Sequence, residues 1–430
     1  MAITIPFGTV GMVLHEELTR AEVLESNIDR LRVAQSEDEL VQAAMAEPIA
    51  SPRLRELAAG KKTCTVIISD HTRPVPSRHI LPFLLEELRQ GNPAIEITLL
   101  VATGCHRASS AEELAAKLGP KIMAKEKIVI HDSQDPSGNV KVGVLPSGAD
   151  LVIDRLAAET ELLVAEGFIE PHFFAGFSGG RKSVLPGVCD KVTVLGNHCA
   201  KFIDSPYART GVLENNPIHA DMLAAVKMAG LAYIVNVIID EDKRIAAAFA
   251  GDPIAAHRRG CELLLDYCQV QPERPGDIVI SSNGGYPLDQ NIYQSVKGIT
   301  AAEAAAAEGA VLIMVSECGD GHGGVDFYEA LKNCASAQAL LDEVRATPQE
   351  KTKPDQWQYQ IMARVLTKHR VIFVSAPEQE KKLREMKMDW APDVDTALAL
   401  ARRLKGADAH LVVIPNGISV MVREEKKDVS

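Results

Sequence analysis

The sequence predicts an α/β protein: two α/β domains with largely parallel sheets. Three observations predict it. Short β-branched apolar runs alternate with Ala/Leu/Glu-rich amphipathic stretches, the pattern of parallel strands joined by crossover helices. The alternation stops at the polar, proline-containing break Gln271-Pro272-Glu273-Arg274-Pro275-Gly276 and then starts again. A chain of 430 residues is long enough for two or three domains at roughly 150 residues each.

The elements follow in order. Strands are expected at 63–69, 95–102, 128–131, 162–169 and 233–239, with helices at 77–89, 110–118, 217–229 and 252–267. The first strand, through Cys64, Val66, Ile67 and Ile68, is almost continuously apolar, as a strand covered on both faces must be. The helix after it begins behind Pro74 and Pro76, which fix φ, with Ser77 placed to cap. Past the break come strands at 277–281, 310–315, 371–375 and 411–414, and helices at 291–306, 328–346, 355–368 and 393–404. The expected division is 1–270 for the first domain and 276–420 for the second. The charged run from Glu424 to Asp428 reads as a frayed tail.

Composition narrows the function classes. Hydrophobic residues at 46% and charged residues at 24% describe an ordinary globular chain and exclude a mainly disordered one. With 46 Lys+Arg against 58 Asp+Glu the net charge is −12, and no basic block stands out. Nucleic acid and membrane are therefore not expected partners. The eight cysteines never form a C-x-x-C pair, so zinc ribbons, iron–sulfur clusters and thioredoxin chemistry lack their spacing. No basic segment leads into an apolar one near Met1, and no membrane-length apolar window exists; a cytoplasmic location is expected.

Polar residues collect where such a fold binds ligands, beyond the carboxyl ends of strands. The first strand runs into Ser69-Asp70-His71-Thr72-Arg73-Pro74-Val75-Pro76-Ser77, where helix-terminal amides and Arg73 can hold an anion; alternatively Asp70 and Arg73 simply pair to hold the turn. The second strand runs into Thr103-Gly104-Cys105-His106-Arg107. The 162–169 strand runs into Glu170-Pro171-His172-Phe173-Phe174-Ala175. His106 and His172, each ambiguous alone, together can supply acid–base chemistry near neutrality.

The segment Gly176-Phe177-Ser178-Gly179-Gly180-Arg181-Lys182-Ser183 has the glycines of a phosphate loop but not the Walker spacing, since Gly176 and Gly180 are too close and Arg181 precedes Lys182. Its Lys182, with a like charge beside it, can be a nucleophile or covalent anchor, or merely a solvated cation. His198 beside Cys199 can meet a soft metal, without a second ligand at helical spacing. In the second domain, Gln294 and Lys297 share a helical face and suit a substrate carboxylate; Trp357 is a core residue unless the cleft is near.

These blocks, with Asn197-His198 and the run Tyr286-Pro287-Leu288-Asp289-Gln290-Asn291-Ile292-Tyr293-Gln294-Ser295-Val296-Lys297-Gly298, closely resemble the nickel-dependent lactate racemase family, in order and over nearly the whole chain. The resemblance implies an active-site cleft between the two domains, and a 2-hydroxyacid racemase or epimerase that works by reversible hydride transfer to a nickel-pincer nucleotide, a pyridinium mononucleotide gripping nickel with two sulfur arms. It implies Lys182 as covalent anchor and His198 as nickel ligand. His106 and His172 become the acid–base pair. Asp70, Thr72 and Arg73, with Gly176, Gly179 and Gly180, become cofactor contacts. Arg73, Tyr293, Gln294, Lys297 and Trp357 become substrate contacts. Cofactor-biosynthesis proteins are implied partners. Which small 2-hydroxy acid is the substrate stays open. Two other classes stand behind this one: a non-catalytic binder of a phosphorylated ligand, and an ATP-dependent transferase using the glycine-rich loop.

Overall fold

Near-continuous apolar runs form the strands of two six-stranded sheets, each sheathed by helices. The computed structural model describes residues 3–15 and 21–423. The first sheet has the order Ile245–Gly251, Leu231–Ile239, Leu162–Phe168, Thr63–Ser69, Glu96–Ala102, Lys127–Ile130; all neighbours are parallel except the Ile245–Gly251 edge. The second, entirely parallel, has the order Asp389–Ala391, Arg370–Val374, Ala306–Val315, Gly276–Ser282, Leu411–Ile414, Ala21–Val23.

Both sheets reverse their winding at their first strand. From Thr63–Ser69 the chain builds outward on one side and then returns to place Leu162–Phe168 on the other; from Gly276–Ser282 it does the same, ending with Leu411–Ile414. At such switch points adjacent loops diverge and leave a crevice at the strand ends. The loops beginning at Asp70 and at Asn283 sit at these two reversals.

One apolar cluster runs from the first sheet to the second, joining Ile67, Ala165 and Phe177 with Val279, Leu312 and Phe373. A second lies beneath the helices Glu37–Ala46 and Ser77–Gly91. The third covers the outer face of the second sheet, where the hairpin Ile3–Phe7 and Val10–Leu14 inserts Ile5 and Leu14.

That hairpin and the strand Ala21–Val23 pack with the second sheet, although the sequence reading put residues 1–270 together. Three-residue Ala21–Val23 is too short to announce itself, and its partner strand is 390 positions away by register, Leu411↔Ala21 to Val413↔Val23. The helix expected at 328–346 is two, Val325–Asn333 and Ala337–Arg345, because Ser336 turns extended and its hydroxyl caps the second by accepting from Ala339 N–H. The antiparallel pair Asn139–Val144 and Asp150–Asp154 went unread, although Val140, Val142 and Val144 alternate with Asn139, Lys141 and Gly143. The tail expected to fray from Glu424 lies outside the described residues. Among the described residues no helix is long and apolar enough to cross a membrane.

Candidate active site

The two crevices face one another across a cavity of about 490 Å3, lined from both sheets, within the size range of cofactor and small-molecule sites. Its first wall is the Asp70–Ser77 turn. Asp70 is buried and does not pair with Arg73. Its Oδ1 accepts from Thr72 N–H (3.1 Å) and the Thr72 hydroxyl (2.6 Å), and its Oδ2 accepts from His106 Nδ1 at 2.7 Å. Burial works against the Asp70 carboxylate, but His106, Arg73 and Thr72 together hold it well below the usual range. A carboxylate only accepts, so His106 carries a proton on Nδ1 and its Nε2 is the free, basic nitrogen.

Ser77 is not the cap that the sequence suggested. It is the first residue of the helix, and its hydroxyl donates to Glu166 Oε1 at 2.7 Å. Arg73 lines the cavity, half-buried, with its Nη1 3.0 Å from the Thr72 hydroxyl.

His172 is presented by a tight hairpin, Pro171–His172 against Gly176–Phe177. Its Nδ1 accepts from Ala175 N–H at 3.2 Å, so the neutral ring bears its proton on Nε2. Phe173 and Phe174 lie against it with ring centroids 4.9 and 4.5 Å away. Burial, then the charges of Lys182, Lys297, Arg73 and Arg181, keep this imidazole neutral far below its ordinary range.

Of the residues singled out from sequence, Gly176 alone is absent from the cavity wall. It holds the hairpin at φ +78, and a Cβ there would come 2.5 Å from Val212 O. Gly179 and Gly180 do line the cavity, both at positive φ. The Gly180 N–H donates to Asn236 Oδ1 at 2.7 Å, fixing the loop that carries Lys182.

Lys182 reaches into the cavity with Nζ over the Phe174 ring, 5.5 Å from its centroid. Burial first, and the charges of Arg181, Arg73 and Lys297 next, push its pKa far down, toward the free amine. Arg181 turns the other way and is fully buried. Its guanidinium donates to Ala175 O (2.6 Å) and His219 Nδ1 (2.9 Å), and its Nη1 lies 2.9 Å from His257 Nε2. It ties the His172 hairpin and the glycine loop together from behind.

His198 ends the helix Lys191–Asn197 and lines the same cavity, buried between Phe174 and Trp357 with centroids at 5.1 and 4.9 Å. Its Nδ1 is buried and has no hydrogen-bond partner. Burial and Lys182 bring its pKa down to about 3, leaving neutral imidazole, the form that binds metals. Among the described residues no three His, Cys, Asp or Glu are grouped to hold a metal ion. Cys199 is not in the cavity wall.

The opposite wall is the helix Ile292–Ala304, capped by Asn291 Oδ1 accepting from Gln294 N–H. It offers Tyr293, Gln294 and Lys297. Gln294 Oε1 is buried and unpartnered. Lys297 is pushed down to about 7 by burial and then by Arg73. The Tyr293 hydroxyl accepts from Trp357 Nε1 at 2.8 Å, which brings Trp357 into the cavity wall.

Three lining carboxyls escaped the sequence reading. Glu166 lies on the strand Leu162–Phe168, nearly fully buried, with Oε2 unpartnered; an acid inside the otherwise apolar run Leu162-Leu163-Val164-Ala165 is a signal that was there to be found. Asp320 and Asp355 sit on second-domain turns and have no comparable signal.

The chain matches the family model of the lactate racemase N-terminal domain over residues 12–211 and that of the C-terminal domain over residues 271–422. The chain belongs to the lactate racemase family. It is 48% identical to a lactate racemase of Thermoanaerobacterium thermosaccharolyticum over 98% of this chain and 99% of that one. It is 51% identical to a lactate racemase of Lactiplantibacillus plantarum over 90% and 91% respectively. The solved lactate racemase apoprotein of T. thermosaccharolyticum superimposes with a TM-score of 0.94, covering 99% of this chain and all, 100%, of the other. A Thermotoga maritima protein at 17% identity shares the fold with a TM-score of 0.67, over 90% of this chain and 98% of its own. As a member of this family, the protein is an isomerase, a racemase.

Proposed function

We propose that this racemase interconverts the enantiomers of lactate, or a close 2-hydroxy acid, using a nickel-pincer nucleotide held in the cavity. The observation that carries the reading is the convergence on one cavity of two imidazoles, a lysine amine and a third imidazole with a buried, unpartnered nitrogen. The donor set fits the cofactor. A free Lys182 amine is the form that a covalent anchor needs. His198 Nδ1 is a buried ring nitrogen without a partner, costly unless something binds it. With no protein cluster to complete a metal site among the described residues, a nickel ion here must bring its other ligands with it, as a pincer does. When bound, the cofactor supplies a hydride acceptor and donor at substrate C2.

The chain's own residues bind, orient and move a proton. Arg73 and Lys297, with Gln294, meet the substrate carboxylate; two cations side by side favour an anion there. Thr72, Arg73 and the amides at the start of the Ser77–Gly91 helix suit the cofactor phosphate. His106 Nε2, left as the lone-pair nitrogen by the Asp70–Nδ1 bond, takes the hydroxyl proton as C2 becomes trigonal. His172, whose neutral ring holds its proton on Nε2, faces the oxygen from its own side of the cavity. Phe173, Phe174 and Trp357 keep water from the reacting atoms.

Protein made with nickel and the cofactor-biosynthesis enzymes should convert L-lactate to the racemate in a chiral assay and carry a mass adduct on Lys182. Lys182→Ala should lose both. Normal racemisation by Lys182→Ala, or an adduct-bearing wild type inert on lactate and on a panel of other 2-hydroxy acids, contradicts the proposal.

A further inference from the structure

The charged groups of the cavity are unevenly placed. Its inner part, between the Asp70–Ser77 turn and the helix Ile292–Ala304, carries the cations Arg73 and Lys297 together with the buried carboxyls of Asp70 and Glu166. Its mouth, beyond His106, carries Arg107 from the first domain and Asp320 and Asp355 from the second. Arg107 is the cation a second substrate carboxylate would need, and it is already occupied: Glu113 takes it with two oxygens, at 2.9 and 2.5 Å.

Asp355 precedes the helix Gln356–Lys368 in a left-handed conformation, φ +59, which Asp and Asn adopt more readily than other non-glycine residues. It makes no capping bond to that helix. Its Oδ2 accepts one long bond from Phe327 N–H, 3.4 Å. The charged groups that act on it are Asp326 beside it and Lys191 and His106 across the cleft; burial dominates all three and raises its pKa. Lys191 does not line the cavity. Asp320 stands exposed on the neighbouring turn, its backbone tied to Gln290 O at 2.7 Å, and its charge acts on Arg107.

We propose that Asp355, seconded by Asp320, is a specificity-determining residue that repels a second carboxylate at the cavity mouth and restricts the substrate to 2-hydroxy monocarboxylates with an uncharged tail. The inference rests on the racemase reading above. A substrate anchored by its C1 carboxylate on Arg73 and Lys297 points the rest of its chain away from those cations. A dicarboxylate then brings like charges together in a partly desolvated crevice, where they discriminate strongly. A methyl or other neutral tail meets no such opposition.

The test compares L-lactate with L-malate on cofactor-loaded protein, by kcat/KM and, separately, by calorimetric affinity. Asp355→Asn is the chosen variant because Asn tolerates φ > 0 and preserves shape; Asp320→Asn is the second, on an exposed turn that does not bear on folding. We expect the malate-to-lactate ratio to rise about tenfold in Asp355→Asn and less in Asp320→Asn. Glu113→Gln, which frees Arg107, should raise it too. A wild type that binds malate as tightly as lactate, or ratios unmoved in both Asn variants, overturns the proposal. Should the wild type racemise neither acid, the racemase reading fails, while the affinity ratio still decides the charge argument.

Discussion

His106 and His172 line one cavity but are held in opposite ways. His106 stands near the surface of the cleft, with 35% of its side chain exposed, and is backed by a buried carboxylate at 2.7 Å. His172 is 7% exposed, backed by a backbone amide and wrapped in phenylalanines. One partner accepts a proton and the other donates one, so the rings rest in different tautomers: His106 presents a lone pair on Nε2 and neutral His172 presents N–H. Residue type alone makes them a matched pair; their partners give one a free lone pair and the other a hydrogen-bond-donating N–H. The two sides of the cavity are built from different physics.

The comparison can be broken most severely by removing either ring. His106→Ala and His172→Ala should each lower kcat by about 10²–10⁴, the usual worth of a positioned acid or base; a holoenzyme variant within a few-fold of wild type in a chiral assay removes that ring from the relay. Asp70→Asn sharpens the tautomer argument. It should reduce kcat by about a hundredfold or more with KM little changed, because an amide no longer dictates where His106 keeps its proton, whereas no substitution of Ala175 that retains its N–H should do the same to His172.

A smaller effect follows from the cations facing both rings. Lys297, pushed down to about 7, is charged below that pH and neutral above it. Since kcat/KM reports the free enzyme, it should fall above pH 7, approaching about tenfold per pH unit, and Lys297→Gln should have a low value without that slope. The smallest effect is on stability. Arg73, Lys182 and Lys297 crowd one cavity, so inorganic phosphate should raise the melting temperature of the cofactor-free protein by about 2–4 °C, less so in Lys297→Gln.

The sheets were legible because their strands are apolar on both faces; runs such as Thr63–Ser69 and Leu162–Phe168 allow no other reading in a chain of this length. The site was legible in its parts, since histidine, lysine and arginine stand just beyond strand ends. It was not legible in its tautomers. Nothing in sequence ties Asp70 to His106, 36 positions away, rather than to Arg73 three positions away. Gly176 was misjudged as a ligand contact for the opposite reason: glycine beside a loop lysine suggests a phosphate, but this one exists to let the chain turn against Val212. Asp355 stayed hidden because a lone acid before a helix ordinarily caps it, and this one does not.

The most direct measurement of the central claim is the fate of the C2 hydrogen when L-lactate is racemised in D2O, followed by proton NMR on cofactor-loaded enzyme. If His106 and His172 handle only the hydroxyl proton, the C2 hydrogen never passes through a solvent-exchanging nitrogen, and the fully racemised product should retain protium at C2. Deuterium entering C2 at the rate of racemisation would contradict the account, because the two imidazoles would then be working on carbon.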